Sequence, residues 1–169
     1  MEFLSAKYDN LFKELEILKN ERKNYNDNIL ELKNEIEVLE RSSNATKLEI
    51  RNISKFENEN KKSLSQIVID IGQSLKLDIK GSDIRDVYRP FGKSDVVRPI
   101  IVDLNSVILK NDIVQSYRKL NKSGDKLNSS HIKMKGPTKL IFISECLTFE
   151  GKKIFYSARD FCRTNQFKF

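Results

Sequence analysis

The residues of this chain with the clearest potential for chemistry are its cations. Lys and Arg outnumber Asp and Glu by 31 to 24, which gives a formal net charge of +7. Residues 46–169 hold the whole excess, with 24 basic and 14 acidic side chains, whereas residues 1–45 hold 7 basic and 10 acidic ones. Lys and Arg bind phosphate groups, so this balance is typical of a domain with a polyanionic partner. The sequence therefore favours nucleic acid as a partner.

Eight basic residues are the candidate phosphate contacts, because they lie on or beside the predicted strands or on the second predicted helix. In chain order they are Arg51, Arg85, Arg89, Lys93, Arg98, Lys110, Arg118 and Lys119. Arg51 is the first choice, since it alternates with Leu48 and Ile50 on the first predicted strand and faces away from them. The predicted strands supply few aromatic rings, and Tyr88 is assigned to the core because it alternates with Arg89. We therefore expect binding through the phosphate backbone with low sequence specificity.

The residue types that carry catalysis are too sparse to form a site. His131 is the single histidine and lies in a polar segment with no acid nearby. Cys146 and Cys162 form no CxxC pair, and one histidine with two separated cysteines does not make a zinc site. No phosphate-binding loop, dinucleotide-binding motif or hydrolase motif occurs. We predict a protein that is not an enzyme and that uses no cofactor and no metal.

Hydropathy and the first residues exclude two further classes. No apolar run approaches the roughly 20 residues that a membrane-spanning helix needs. The first ten residues, MEFLSAKYDN, lack the basic start and the apolar stretch of a secretory signal. We expect an intracellular protein of the cytoplasm, the nucleus or both, with no insertion into a membrane.

A heptad repeat occupies the first forty residues and predicts a coiled-coil helix over residues 1–41. The repeat advances by alternating steps of four and three through Leu4, Tyr8, Leu11, Leu15, Leu18, Arg22, Tyr25, Ile29, Leu32, Ile36 and Leu39. One narrow apolar stripe on so long a helix favours self-association as a dimer or a trimer. The alternative is that this helix folds back on its own basic domain.

Residues 47–144 show a second pattern, in which strands and helices follow in the order β-α-β-β-α-β after a polar hinge at residues 42–46. The predicted strands are 47–51, 84–91, 96–104 and 140–143, and the predicted helices are 64–75 and 107–120. This order is the split βαβ pattern, an α+β fold with a four-stranded antiparallel sheet backed by two helices. RNA-recognition domains use this architecture and bind on the open face of the sheet, so we predict an RRM-like domain.

The remaining segment, residues 145–169, is predicted as a C-terminal helix that begins near Thr148, a suitable N-cap residue. Its apolar face includes Ile154, Phe155 and Phe161, and we expect this face to pack against the domain. The segment from Asn121 to Thr138 is polar and is expected to be a mobile loop.

Several stretches of residues 46–169 resemble the few-polyhedra (FP) protein family of baculoviruses, which is similar to the first open-reading-frame protein of LINE-type retrotransposons. The matching stretches are LEIRNI (48–53), SLSQIVIDIGQSLKLDI (63–79), SDIRDVYR (82–89), RPIIVDL (98–104) and ISECLTFEGKKIFYSARDF (143–161). That family also has an N-terminal coiled coil. The chain departs from the family at Asn52, Asp103 and Glu35, where the pattern has Gly, a basic or neutral residue, and Arg.

The resemblance implies an RRM-like fold, oligomerisation through the N-terminal helix, and nucleic-acid binding in the retrotransposon relatives. It also implies that residues 145–169 begin the C-terminal region of that family, and it makes Arg89, a recurring position, the second choice for a phosphate contact. We therefore expect an oligomeric protein that binds single-stranded RNA or DNA. The alternative is a coiled-coil adaptor of viral or intracellular assembly, whose basic domain binds acidic protein partners.

Overall fold

The computed structural model describes the backbone of residues 2–91, 97–132, 134 and 137–167, with side chains from Lys7 onward within those ranges. The chain divides into two compact units between Glu40 and Arg41. The predicted mixture of a long N-terminal helix and a four-stranded antiparallel sheet is confirmed.

Helix α1 runs from Glu2 to Asn44, and neither Gly nor Pro interrupts it. It continues past residue 41, so residues 42–44 of the predicted hinge are helical. The apolar residues of the heptad repeat from Tyr8 to Leu39 are all exposed in the single chain. The side chain of Leu4 lies outside the described part. The first unit therefore presents an uncovered apolar seam along its length.

The second unit is built on one sheet. Its strands are β1 (Lys47–Arg51), β2 (Ile84–Tyr88), β3 (Ile100–Leu104) and β4 (Phe142–Glu145), and its helices are α2 (Lys61–Ser74), α3 (Val107–Lys122) and α4 (Phe149–Thr164). The strands lie in the order β2-β3-β1-β4, and each neighbouring pair is antiparallel. Strand β2 ends three residues before the predicted position, β3 is observed from Ile100 rather than 96, and β4 is shifted by two residues. Val96 lies outside the described residues.

Short polar side chains cap the N-termini of the three helices of the second unit, α2, α3 and α4. Asn60 and Ser63 form a capping box before α2, with the Asn60 Oδ1 accepting from the Ser63 N–H at 2.9 Å and the Ser63 Oγ accepting from the Asn60 N–H at 2.9 Å. The Ser106 hydroxyl accepts from two backbone N–H groups of α3. The Thr148 hydroxyl accepts from the Gly151 N–H at 3.1 Å, which confirms the predicted N-cap of α4.

The core lies between one face of the sheet and the helices α2 and α3. Leu48 and Ile50 of β1 alternate inward and meet the apolar faces of both helices in a single hydrophobic cluster. The segment after α3, which was expected to be mobile, also contributes to this cluster through Leu127 and Ile132. Its chain is anchored by an isolated bridge between Asn128 and Leu140. The described part of this segment therefore belongs to the packed domain, because Leu127 and Ile132 are buried in its core.

Gly72 on α2 gives a first testable prediction about this core. A Cβ at this position would lie 2.7 Å from the Cγ1 and Cδ1 atoms of Ile79, which is buried. Gly72→Ala should lower the free energy of unfolding by about 1–3 kcal/mol, although Ala is normally better in a helix. Urea denaturation measures it, with Gly81→Ala as the control because a Cβ there meets nothing within 4 Å. A Gly72→Ala protein as stable as wild type would contradict this packing.

Helix α4 does not follow its expected packing. None of its residues is buried, and Ile154, Phe155 and Phe161 are all exposed. The prediction that its apolar face packs against the domain is therefore wrong. Amphipathic spacing identified the apolar side of the helix correctly but did not reveal that no described residue covers it.

Candidate nucleic-acid interface

The sheet face opposite the core is the first part of the candidate site. Leu48 and Ile50 point into the core, so Lys47, Glu49 and Arg51 point to the other face. Cross-strand partners share a face, and the row across the sheet at Glu49 is Tyr88, Ile101, Glu49 and Ser144. The next row brings Arg51 beside Phe142. This face is not covered by α2 or α3, and we call it the open face.

Two aromatic rings lie on the open face, one on each edge strand. Tyr88 on β2 is 37% exposed and Phe142 on β4 is 44% exposed. The assignment of Tyr88 to the core is wrong. In the sequence, Phe142 and Ser144 alternate with Ile141 and Ile143, and this alternation indicates that Phe142 lies on the face opposite the core. The open face therefore offers a cation and a ring side by side, Arg51 and Phe142.

A groove of about 370 Å³ lies at the β4 edge of the sheet, between this strand, α3 and α4. Its cations are Arg51 from β1, Arg118 from α3 and Lys152 from α4. Its exposed rings are Phe155 and Tyr156, whose centroids are 6.1 Å apart in an edge-to-face arrangement. We call this the β4-edge groove. Sequence reasoning singled out Arg51 and Arg118 but missed Lys152, because the two helices that meet at this edge are distant in sequence.

Two carboxylates also line the β4-edge groove, and they limit its positive potential. Glu145 is paired with Lys110 at 2.6 Å, so its charge is already compensated. Glu49 lies on the open face and faces the same groove. The Arg51 guanidinium makes one long contact, from Nη2 to the Ser144 Oγ at 3.5 Å. Most of the donors of Arg51 therefore remain for a ligand.

Arg89 does not occupy the position that the sequence led us to expect. Its side chain is 8% exposed and that of Glu59 is 7% exposed, and the Arg89 Nε lies 2.8 Å from the Glu59 Oε1. The Arg89 Nη2 also donates to the other Glu59 oxygen at 3.0 Å, and its Nη1 donates to the carbonyl groups of Ile53 and Arg98. The placement of Arg89 as an accessible cation is wrong, because the folded domain uses its guanidinium internally.

Lys110 is a second internal cation. Its side chain is 9% exposed, and its Nζ donates to the Glu145 carboxylate across the gap between α3 and β4. An ammonium group held in this way is not available to a phosphate. The expected phosphate contact at Lys110 is therefore corrected to a structural ion pair.

The remaining predicted cations are spread around the second unit. Arg85 is exposed, but its guanidinium lies 3.6 Å from the Asp103 carboxylate and donates to the Leu104 carbonyl. Lys119 is exposed on α3 and does not line the β4-edge groove. Lys93 lies outside the described residues. Of the predicted cations that the structure describes, Arg51 and Arg118 therefore share the β4-edge groove, and Arg89 and Arg98 share a groove at the other edge of the sheet.

A second groove lies at the other edge of the sheet, beside β2. Arg98 lines it, half-buried, with Nη1 donating to the Pro90 carbonyl at 3.1 Å, and the exposed Lys61 lies nearby on α2. The Lys61 ammonium bonds to Asp86 at 2.5 Å, and this bond holds the pKa of the Asp86 carboxyl below its usual value. Phe91 is fully exposed at this edge. The exposed Lys55 and the buried Arg89 also line this groove, and three of its four cations, Lys61, Arg89 and Arg98, already bond to groups of the domain.

The titratable groups that could support catalysis do not converge. Burial, with a smaller contribution from the Glu49 carboxylate, raises the pKa of the Cys146 thiol to about 11, so it stays protonated near neutral pH. The His131 Nδ1 accepts from the Asn128 N–H at 3.2 Å within its own turn. Among the described residues no cluster of His, Cys, Asp and Glu could hold a metal ion.

Comparison of the chain with models of protein families gave no match, and comparison with curated proteins gave none either. The resemblance to the few-polyhedra family therefore stays a prediction. No helix in the described ranges is long and apolar enough to cross a membrane.

Proposed function

We propose that the protein is an oligomeric, non-enzymatic nucleic-acid-binding protein that contacts single-stranded RNA or DNA mainly through phosphate groups. The observation that carries the proposal is the β4-edge groove. It brings Arg51, Arg118 and Lys152 together with the rings of Phe155 and Tyr156. Cations that follow a backbone and rings on which bases stack are the two elements of single-strand binding that tolerates many sequences.

The arrangement of the sheet supports an RRM-like domain as the scaffold. The strand order β2-β3-β1-β4 and the helices α2 and α3 on one face leave the other face open, as RNA recognition on a sheet requires. Tyr88 and Phe142 on that face extend the surface on which bases would stack. The proposed relationship to the few-polyhedra and retrotransposon proteins agrees with this scaffold.

Self-association through α1 completes the proposal. A single groove with three cations and one uncompensated carboxylate binds a strand weakly, whereas several grooves held together bind it with a high effective concentration. The uncovered seam of α1 supports this role, because an exposed apolar stripe of this length is stabilised when helices pair. A dimer and a trimer both satisfy this requirement.

The β4-edge groove gives a direct test with single-stranded RNA of mixed sequence. Arg51→Ala with Arg118→Ala should weaken binding roughly 10-fold and reduce the salt dependence by about 0.7 per cation, because each cation that neutralises a phosphate releases a counterion. Fluorescence anisotropy across a series of salt concentrations measures both quantities.

The matched control removes two exposed lysines that do not line the groove, Lys62 and Lys126. Lys62→Ala with Lys126→Ala lowers the net charge equally and should change affinity much less. Equal losses in the two double variants would contradict the groove as the site. No binding of wild type at low salt would contradict nucleic-acid binding itself and would favour the adaptor function.

A further inference from the structure

Helix α4 carries an apolar strip that no described residue covers. Ile154, Ala158 and Phe161 follow at spacings of four and three, so they share one side of the helix. Ile154 is 69% exposed and Phe161 is 61% exposed. Phe167 stacks on Phe161, with ring centroids 6.1 Å apart, and extends the strip beyond the end of the helix. We call these four residues the α4 strip.

The strip lies on the side of α4 that does not line the β4-edge groove. Lys152, Phe155 and Tyr156 line that groove, whereas Ile154 and Phe161 do not. The strip therefore points away from the nucleic-acid site proposed above. A ligand of the strip and a ligand of the groove contact different residues.

The charges of α4 limit what can cover the strip. The helix carries four cations, Lys152, Lys153, Arg159 and Arg163, against two acids, one of which, Glu150, is paired with Lys153 at 2.8 Å. A second copy of α4 would bring like charges together. An apolar strip of aromatic and branched side chains beside an excess of Lys and Arg is the pattern of a helix that lies in the surface of an anionic bilayer.

We propose that α4 binds anionic lipid surfaces, with the α4 strip inserted among the acyl chains nearest the headgroups and the helix parallel to the bilayer plane. The Ile and Phe side chains of the strip are apolar, so their transfer from water to the acyl chains is favourable. The cations of α4 that do not line the β4-edge groove, Lys153, Arg159 and Arg163, contact the lipid phosphates and carboxylates. The proposal concerns binding at the surface, and it does not depend on nucleic-acid binding.

The chain contains no tryptophan, so a single substitution supplies a clean reporter of insertion. The Phe161→Trp protein should show blue-shifted emission when mixed with vesicles of phosphatidylcholine and roughly 30% phosphatidylserine. The lipid concentration that gives half of the shift should be roughly 10-fold lower than with phosphatidylcholine alone. Adding Ile154→Ser to the reporter protein should weaken binding by about 10-fold, because one inserted apolar side chain is lost.

The control places the reporter at an exposed apolar position on another helix. Ile108 on α3 is 74% exposed, and Ile108→Trp should show no shift with the same vesicles. An equal shift at both positions indicates general adsorption of a basic protein and overturns the proposal. An unchanged spectrum of Phe161→Trp with anionic vesicles also overturns it. A blue shift that depends on protein concentration without lipid assigns the strip to contact between copies and overturns it as well.

Discussion

Replacing Arg89 with alanine is expected to lower the free energy of unfolding by about 3–5 kcal/mol, because it breaks a buried ion pair from one side. Glu59 would lose its partner in a site where its side chain is 7% exposed. The carbonyl groups of Ile53 and Arg98 would lose the Arg89 donor, which now links the residues after β1 to the residues before β3. This is the largest effect on stability that we expect from one substitution of a polar residue in this protein.

Urea denaturation followed by circular dichroism measures the effect. Arg85→Ala is the control, since Arg85 lies four residues before Arg89 and also faces a carboxylate but is 55% exposed, and its loss should cost less than about 1 kcal/mol. The double variant Arg89→Met with Glu59→Met should recover much of the lost stability, because no unpaired charge stays buried. Equal unfolding midpoints for Arg89→Ala and Arg85→Ala would contradict the buried pair. If Arg89→Ala is destabilised as expected, a loss of nucleic-acid binding in this variant reports unfolding rather than a lost phosphate contact.

Placing lysines in the seam of α1 is expected to have the largest effect on function. Ile29→Lys with Ile36→Lys puts charges at two neighbouring core positions of the heptad repeat, where a coiled coil buries apolar side chains. We expect monomers by sedimentation, and we expect affinity for a long single-stranded RNA to fall by a factor on the order of 100 or more, because linked sites are lost. Affinity for an oligonucleotide that spans one domain should change little.

The helix itself supplies a matched control for that experiment. Leu30 and Val38 are 60% and 65% exposed, close to the 50% and 56% of Ile29 and Ile36, but they lie outside the heptad seam. Leu30→Lys with Val38→Lys adds the same charge to the same segment and should leave the oligomer intact. Monomers in both double variants would contradict the seam as the interface, and oligomers in both would contradict self-association through it.

The elements that sequence predicted well are those whose pattern is local. The alternation of Leu48 and Ile50 predicted β1, the spacing of Leu64, Ile67 and Ile71 predicted α2, and Thr148 marked the start of α4. Each of these signals depends on residues a few positions apart, where backbone geometry alone relates them. The order of strands along the chain then sufficed to predict an antiparallel sheet with two helices on one face.

The positions of the cations could not be predicted in the same way. Arg85 and Arg89 are four residues apart and would share a face of the predicted strand 84–91. The observed β2 ends at Tyr88, and a register irregularity lies between Ile84 and Asp86. The partner of Arg89 lies 30 residues earlier in the chain, and the partner of Lys110 lies 35 residues later. Such pairings depend on the tertiary fold, and a single sequence does not reveal them.

The pairing of β4 with β1 constrains the order of events during synthesis. Helix α1 and strand β1 leave the ribosome early, yet β1 gains its second neighbour only when Phe142 to Glu145 have been made. Until then β1, an inner strand of the finished sheet, has at least one edge of unpaired peptide groups, which is a template for pairing with other chains. The growing chain thus exposes the apolar seam of α1 and an unpaired edge of β1 at the same time. Chaperone protection during translation matters most in that interval.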